Sequence, residues 1–124
     1  MILRKVLEIL DAVLLTDRGH LEIETTVACG ADLMSDVLAY SESGLLLLTG
    51  LNKTQTIRTA EMADIKAIVF VRGKMPDTAT INLAKEKDIP LLVTDLSMFE
   101  ACGRLYQHGI KGLSILCMLN AKNL

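Results

Sequence analysis

Three unbroken apolar runs recur along the chain at near-constant spacing: Leu45 to Leu48, Ala67 to Val71, and Pro90 to Val93. They start 22 and 23 residues apart. A strand that is apolar at every position, not at alternate ones, is covered on both faces, and that is the mark of a parallel strand inside an α/β sheet. Parallel neighbours must be joined by a crossover, usually a helix, and such crossovers are right-handed. The runs therefore predict a compact βα-repeat with a mainly parallel sheet flanked by helices. Units this short in a chain of 124 residues suit one doubly wound layer, not a solenoid.

The segments between the runs have helical spacing. Ile2 to Leu10 is apolar at 2, 3, 6, 7, 9 and 10, a short amphipathic helix. Ala12 to Leu15 reads as a short strand, Thr16 to His20 as a turn, and β-branched Glu24 to Cys29 as a strand ending at Gly30. Asp32 is placed to cap a helix through Leu33, Met34, Val37, Leu38 and Tyr40, closed by a loop from 41 to 44. A helix over Lys53 to Ala63 is expected to turn Ile57, Ala60, Met62 and Ala63 inward. The next has Pro76 in its first turn and Ala79, Ile81, Leu83 and Ala84 on its apolar stripe. Ser97 and Glu100 form a capping box that opens a helix through Ala101, Leu105 and Tyr106, stopped by Gly109. Gly112 to Leu119 is expected to be a last edge strand.

Composition narrows the function classes. The chain is the length of one domain, read as spanning 1–124. It is 51 % hydrophobic with a mean hydropathy of +0.39, yet only 3 % aromatic, so aliphatic side chains and Met must fill the core. That apolar excess favours self-association of so small a chain. A net charge of −2 with scattered Lys and Arg gives no basic stripe for nucleic acid. No apolar run approaches a membrane span, and the N-terminus lacks the order of a signal peptide, so a cytoplasmic protein is expected. Cys29, Cys102 and Cys117 are odd in number with no CxxC, and read as packing residues in place of a disulfide or zinc framework.

The strand exits carry the candidate chemistry: Gly30-Ala31-Asp32, Thr49-Gly50-Leu51-Asn52, Arg72-Gly73 and Thr94-Asp95, with Ser97 just beyond. In open α/β sheets these ends converge on one edge, where ligands bind and free helix N-termini suit an anion. Arg72 adds a charge-assisted donor. Turn and cap formation explains the same residue types. There is no GxGxxG and no GxxxxGK[ST]. His20 and His108 adjoin glycines and read as surface or turn residues, without companions at metal-ligand spacing. Asp32 and Asp36, four apart, could place two carboxylates together beside Arg72 for a small metal-assisted enzyme, although a cap and a solvated carboxylate account for them equally. The methionines read mostly as core filling.

The stretch Ala31 to Leu38, then Leu48-Thr49-Gly50, Ala67-Ile68-Val69 and Ile89 to Phe99, resembles a DRTGG domain over about Val6 to Gly109. The layout is similar to the N-terminal domain of HPr kinase and to the module paired with CBS domains in regulatory pyrophosphatases. Asp17-Arg18-Gly19 mimics part of the family string, but early in the chain. The pair after the Thr-Gly exit appears as Leu51-Asn52-Lys53, and the Thr-Gly-Gly exit as Val71-Arg72-Gly73. The resemblance implies an α/β fold, a regulatory or assembly role without catalysis or cofactor, and association as a homodimer. The resulting expectation is a regulatory module sensing a nucleotide or phosphometabolite through Asp32, Thr49, Gly50, Asn52, Arg72, Gly73, Thr94 and Ser97. The alternative is an interaction subunit docking onto a larger enzyme.

Overall fold

The computed structural model describes residues 1–40 and 42–112. The three apolar runs become β3 (Leu45–Thr49), β4 (Ala67–Phe70) and β5 (Leu91–Val93), every residue of them buried. With β1 (Val13–Leu14), β2 (Val27–Gly30) and β6 (Lys111–Gly112) they form one six-stranded sheet in the order β1-β5-β4-β3-β2-β6. All pairings are parallel except β1 with β5. Val13 and Leu14 pair antiparallel with Val93 and Leu92, so the short apolar strand closes one edge.

Because β2 to β5 lie side by side in chain order, their crossover helices share one face of the sheet. These are α2 (Met34–Tyr40), α3 (Thr54–Met62) and α4 (Thr78–Glu86). They pack Met34, Val37, Ile57, Ala60 and Ala84 on Leu45, Leu47, Ile68, Phe70, Leu91 and Val93. The period-2 alternation of the strands sends Leu46, Leu48, Val69 and Leu92 to the other face. There α1 (Leu3–Ile9) and α5 (Met98–Gln107) contribute Leu3, Val6, Ala101 and Leu105. α5 carries the chain from β5 to β6 at the far edge, beside β2.

Four helices end alike. Asp11, Asp64, Asp88 and Gly109 each take a left-handed conformation just past the helix, and the next residue donates its N–H back five positions along the chain. The bonds are Ala12 to Leu7, Ile65 to Ala60, Ile89 to Ala84 and Ile110 to Leu105, with a buried apolar side chain at each donor. This is the Schellman arrangement, with Asp at three positions that glycine usually fills.

Several expectations are corrected by helix phase. Met62 and Ala79 are exposed because buried threonines take inward positions on their helices, and Leu33, Leu38 and Tyr106 are exposed as well. Thr56 and Thr59 lie inward on α3, and Thr80 on α4. The Thr56 hydroxyl donates to the Leu51 carbonyl and that of Thr80 to Asp77, so neither carries an unsatisfied group inside. Asp77, not Pro76, opens α4, its carboxylate accepting the Thr80 N–H, which leaves Pro76 one position ahead of the cap. Met75 is also exposed, so among the described residues Met34 and Met98 are the methionines after the initiator that pack on the cores. The predicted turn at 16–20 runs into a 3-10 helix, Arg18–Glu22, capped by Asp17. The 24–29 strand starts later, at Val27, because Thr25 bonds through N–H and hydroxyl to the Met1 carbonyl. Lys111–Gly112 begins the expected edge strand, whereas 113–119, with Cys117 and Met118, lies outside the described residues.

Candidate functional site

The ends of β2, β3, β4 and β5 meet at one edge, and the residues that leave them are tied to one another. Asp32 does not serve α2 as expected. Its Oδ1 accepts the Gly50 N–H at 2.8 Å and the Thr49 hydroxyl at 3.0 Å, joining the exits of β2 and β3. The Gly50 amide is the largest influence holding the Asp32 carboxyl below its ordinary range, aided by the Thr49 hydroxyl and the Arg72 charge and opposed by partial burial. The buried Thr49 hydroxyl also accepts the Leu51 N–H at 3.1 Å, so its bonding capacity is used within the edge.

Arg72 reaches across this pair. Its Nη2 lies 3.9 Å from Asp32 Oδ2, and its side chain is 51 % exposed. A Cβ on residue 50 would sit 2.2 Å from that Nη2, so glycine there is what leaves room for the guanidinium. The backbone at Arg72 is left-handed (φ 57), as it is at Gly73 (φ 63). This double turn aims the Arg72 N–H at the Leu96 carbonyl and the Gly73 N–H at Thr94, both at 2.8 Å, locking the β4 exit to the β5 exit. Asn52 donates from Nδ2 to the Met75 carbonyl at 3.1 Å, linking the β3 exit to the loop before α4.

Two candidates face elsewhere. The buried Thr94 hydroxyl donates to the Leu10 carbonyl at 2.7 Å, toward α1, and Ser97 accepts the Glu100 N–H as the cap of α5. Asp95, part of the Thr94-Asp95 exit, also reaches this edge: its Oδ1 would lie 2.9 Å from a Cβ on residue 73. At the start of α3 the Lys53 side chain makes no cap bond, leaving the helix N-terminus without a side-chain partner. Lys53 also contributes to lowering the Asp77 carboxyl, after the Thr80 hydroxyl and N–H.

A second polar cluster lies at the opposite end of the strands. His20, expected as a surface or turn residue, is buried: it is 8 % exposed, with Nε2 2.7 Å from Asp88 Oδ1 and Nδ1 3.1 Å from Thr16 Oγ1. An ionised carboxylate only accepts, so Nε2 carries the proton toward Asp88, and in the neutral ring Nδ1 accepts from Thr16. Thr16 Oγ1 in turn accepts the Leu91 N–H at 3.2 Å. Among the described residues no three His, Cys, Asp or Glu groups could hold a metal, and Asp32 bonds to β3 rather than pairing with Asp36. No described helix is long and apolar enough to cross a membrane. On the α1/α5 face, a cavity of about 250 Å³ opens between β2, β6 and α5.

The chain is thus a mostly parallel α/β layer with a polar cluster at its strand exits. Residues 5–108 match the family model of the DRTGG domain, and the chain belongs to that family. It is similar to a crystal structure of the CBS and DRTGG domains of the regulatory region of Clostridium perfringens pyrophosphatase, complexed with the activator diadenosine tetraphosphate. The TM-score is 0.70 at 17 % identity, over 82 % of this chain and 44 % of that one, so the likeness is one of fold and this chain spans less than half the other's length. No curated protein sequence matches the chain.

Proposed function

We propose that this chain is a non-catalytic regulatory and assembly module of the cytoplasm, one domain over 1–124, that homodimerises and senses a small anionic ligand at the strand-exit edge. The observation that carries the reading is Arg72, a half-exposed guanidinium held over Gly50, which lies three residues before Lys53 at the uncapped start of α3. A free helix N-terminus and a guanidinium together favour a phosphate oxygen. Asn52 and Gly73 flank the same spot, whereas Asp32 and Thr49 position Arg72, and Thr94 and Ser97 hold the frame on which the exits sit. The family supports a regulatory role, since its relative's regulatory region was crystallised with a nucleotide activator.

The test is thermal and calorimetric titration with diadenosine tetraphosphate, AMP and inorganic phosphate. A ligand at a hundredfold its Kd stabilises the folded state by about 2.7 kcal/mol. We expect a nucleotide to do so for the wild type and not for Arg72→Ala; no shift with any of the three overturns the sensing half. A second reading, docking onto a larger enzyme without a small molecule, is favoured by the exposed Phe99 and Tyr106 of α5. It predicts a monomer that binds such an enzyme with Arg72 replaced.

A further inference from the structure

We infer that Asp95 is the specificity-determining group of the strand-exit site and selects a ribose 5′-phosphate, its carboxylate accepting the 2′,3′-hydroxyls while Arg72 holds the phosphate. The inference rests on the sensing half of the proposed function and names the class of ligand. Asp95 is exposed, and among the described residues its carboxylate makes no hydrogen bond or ion pair. The Arg72 guanidinium makes no hydrogen bond among them either, only the 3.9 Å approach to Asp32. One edge thus presents an unused donor group and an unused acceptor.

The two groups flank the exit of β4. Arg72 reaches over Gly50 toward β3, whereas Asp95 follows β5 and comes against Gly73, its Oδ1 2.9 Å from where a Cβ would stand. Gly73 therefore serves twice, for its left-handed backbone (φ 63) and for the approach of this carboxylate. β4 and β5 are adjacent and parallel. A glycine turn leaving one parallel strand, with an acid about 20 residues on at the exit of its neighbour, is how doubly wound sheets seat phosphate and ribose together. Gly73 and Asp95 are 22 residues apart. The helix after this turn, α4, is capped by Asp77, so the phosphate falls to Arg72 and not to that helix. Spacing and charge exclude other two-headed ligands. The guanidinium and the carboxylate stand one to two strand spacings apart, roughly 5–10 Å. An α-amino acid, whose ammonium and carboxylate flank a single carbon, is too short to bridge them. A diphosphate would set its second anion against Asp95. In a ribose 5′-phosphate the sugar ring and one further carbon separate the anion from a vicinal diol, and an ionised carboxylate, which only accepts, suits two hydroxyl donors.

The test is isothermal titration calorimetry of the full chain with AMP, its 2′,3′-dideoxy analogue, ribose 5-phosphate and inorganic phosphate, the folding of variants being checked by their melting temperatures without ligand. The wild type is expected to bind AMP about tenfold or more tighter than the dideoxy analogue. Asp95→Ala is expected to bind these two alike while binding inorganic phosphate no less tightly, a result that loss of folding would not give. Ribose 5-phosphate binding as tightly as AMP assigns the site to the sugar phosphate itself, and AMP binding the tighter of the two assigns it to a nucleotide; both keep Asp95 on the diol. Selectivity for the diol that is absent from the wild type, or that survives in Asp95→Ala, overturns the assignment and leaves the anion reading standing. Binding of inorganic phosphate alone does the same. No binding of any of the four overturns both.

Discussion

The two ends of the parallel strands each carry a polar cluster, and they use it differently. At the end where β5 starts, Thr16, His20 and Asp88 bond in a row, with the imidazole buried and both its nitrogens engaged. At the strand exits, Asp32, Thr49 and Gly50 form an equally specific set, but the guanidinium they position stays half in water. The first cluster closes on itself and acts as a clamp between the 3-10 helix, α4 and β5. The second ends on a charged group free to take another partner. Residue types alone do not separate a structural cluster from a candidate site; the difference is whether a donor is left over.

Substitutions break this comparison in order of size. His20→Ala removes a buried ring and leaves Thr16 and Asp88 without it. We expect a loss of about 2 kcal/mol in urea unfolding, with anion binding at the far edge unchanged. Asp88→Gly sets two effects against each other, relief of its left-handed backbone and loss of the His20 partner. A net loss of about 1 kcal/mol is expected, whereas Asp64→Gly, with the same backbone (φ 55) and no His20 to hold, gains about 0.5 kcal/mol. Equal signs for the two glycines would show that the His20 contact contributes nothing.

The strand-exit end responds to pH. The folded Asp32 carboxyl lies below its ordinary 3.8, chiefly through the Gly50 amide, so its contribution is present above that value and is lost as pH falls through the folded one. Asp32→Asn, which cannot ionise, should flatten the acid limb of stability against pH. An unchanged slope would mean that the Gly50 and Thr49 bonds do not favour the charged form. The smallest stability effect is expected from Gly50→Ala. The atom in the way is the far end of Arg72, which swings aside, so stability changes by less than about 0.5 kcal/mol while phosphate binding falls.

Much of the scaffold is legible in the residues. Runs such as Leu45 to Leu48, too short for a helix and flanked by Gly44 and Gly50, read as doubly covered strands. Ser97 stands where a cap is needed, and Asp77 takes that place where Pro76 is the more conspicuous residue. Helix phase is less legible, because Thr56, Thr59 and Thr80 are polar by composition and buried in fact. Their hydroxyls find carbonyl or carboxylate partners that hydropathy does not count. Asp32 illustrates the limit at the site. A carboxylate before a helix reads as its cap, yet the exit of a strand 17 residues further on offers an amide and a hydroxyl together.

The sequence by itself determined the class of fold, the repeat of strand and helix, and which residues leave the strands. These follow from local patterning, where burial on two faces and turn chemistry are written position by position. Only the tertiary structure decided which exits touch. Gly50 matters because Arg72, from the next strand, passes over it; His20 is buried because Asp88 and Thr16 converge on it from distant segments; and Phe99 and Tyr106 stand in solvent because α5 turns Ala101 and Leu105 to the core. Each is a relation between segments far apart in the chain, set by sheet order and crossover hand, and no local pattern encodes it.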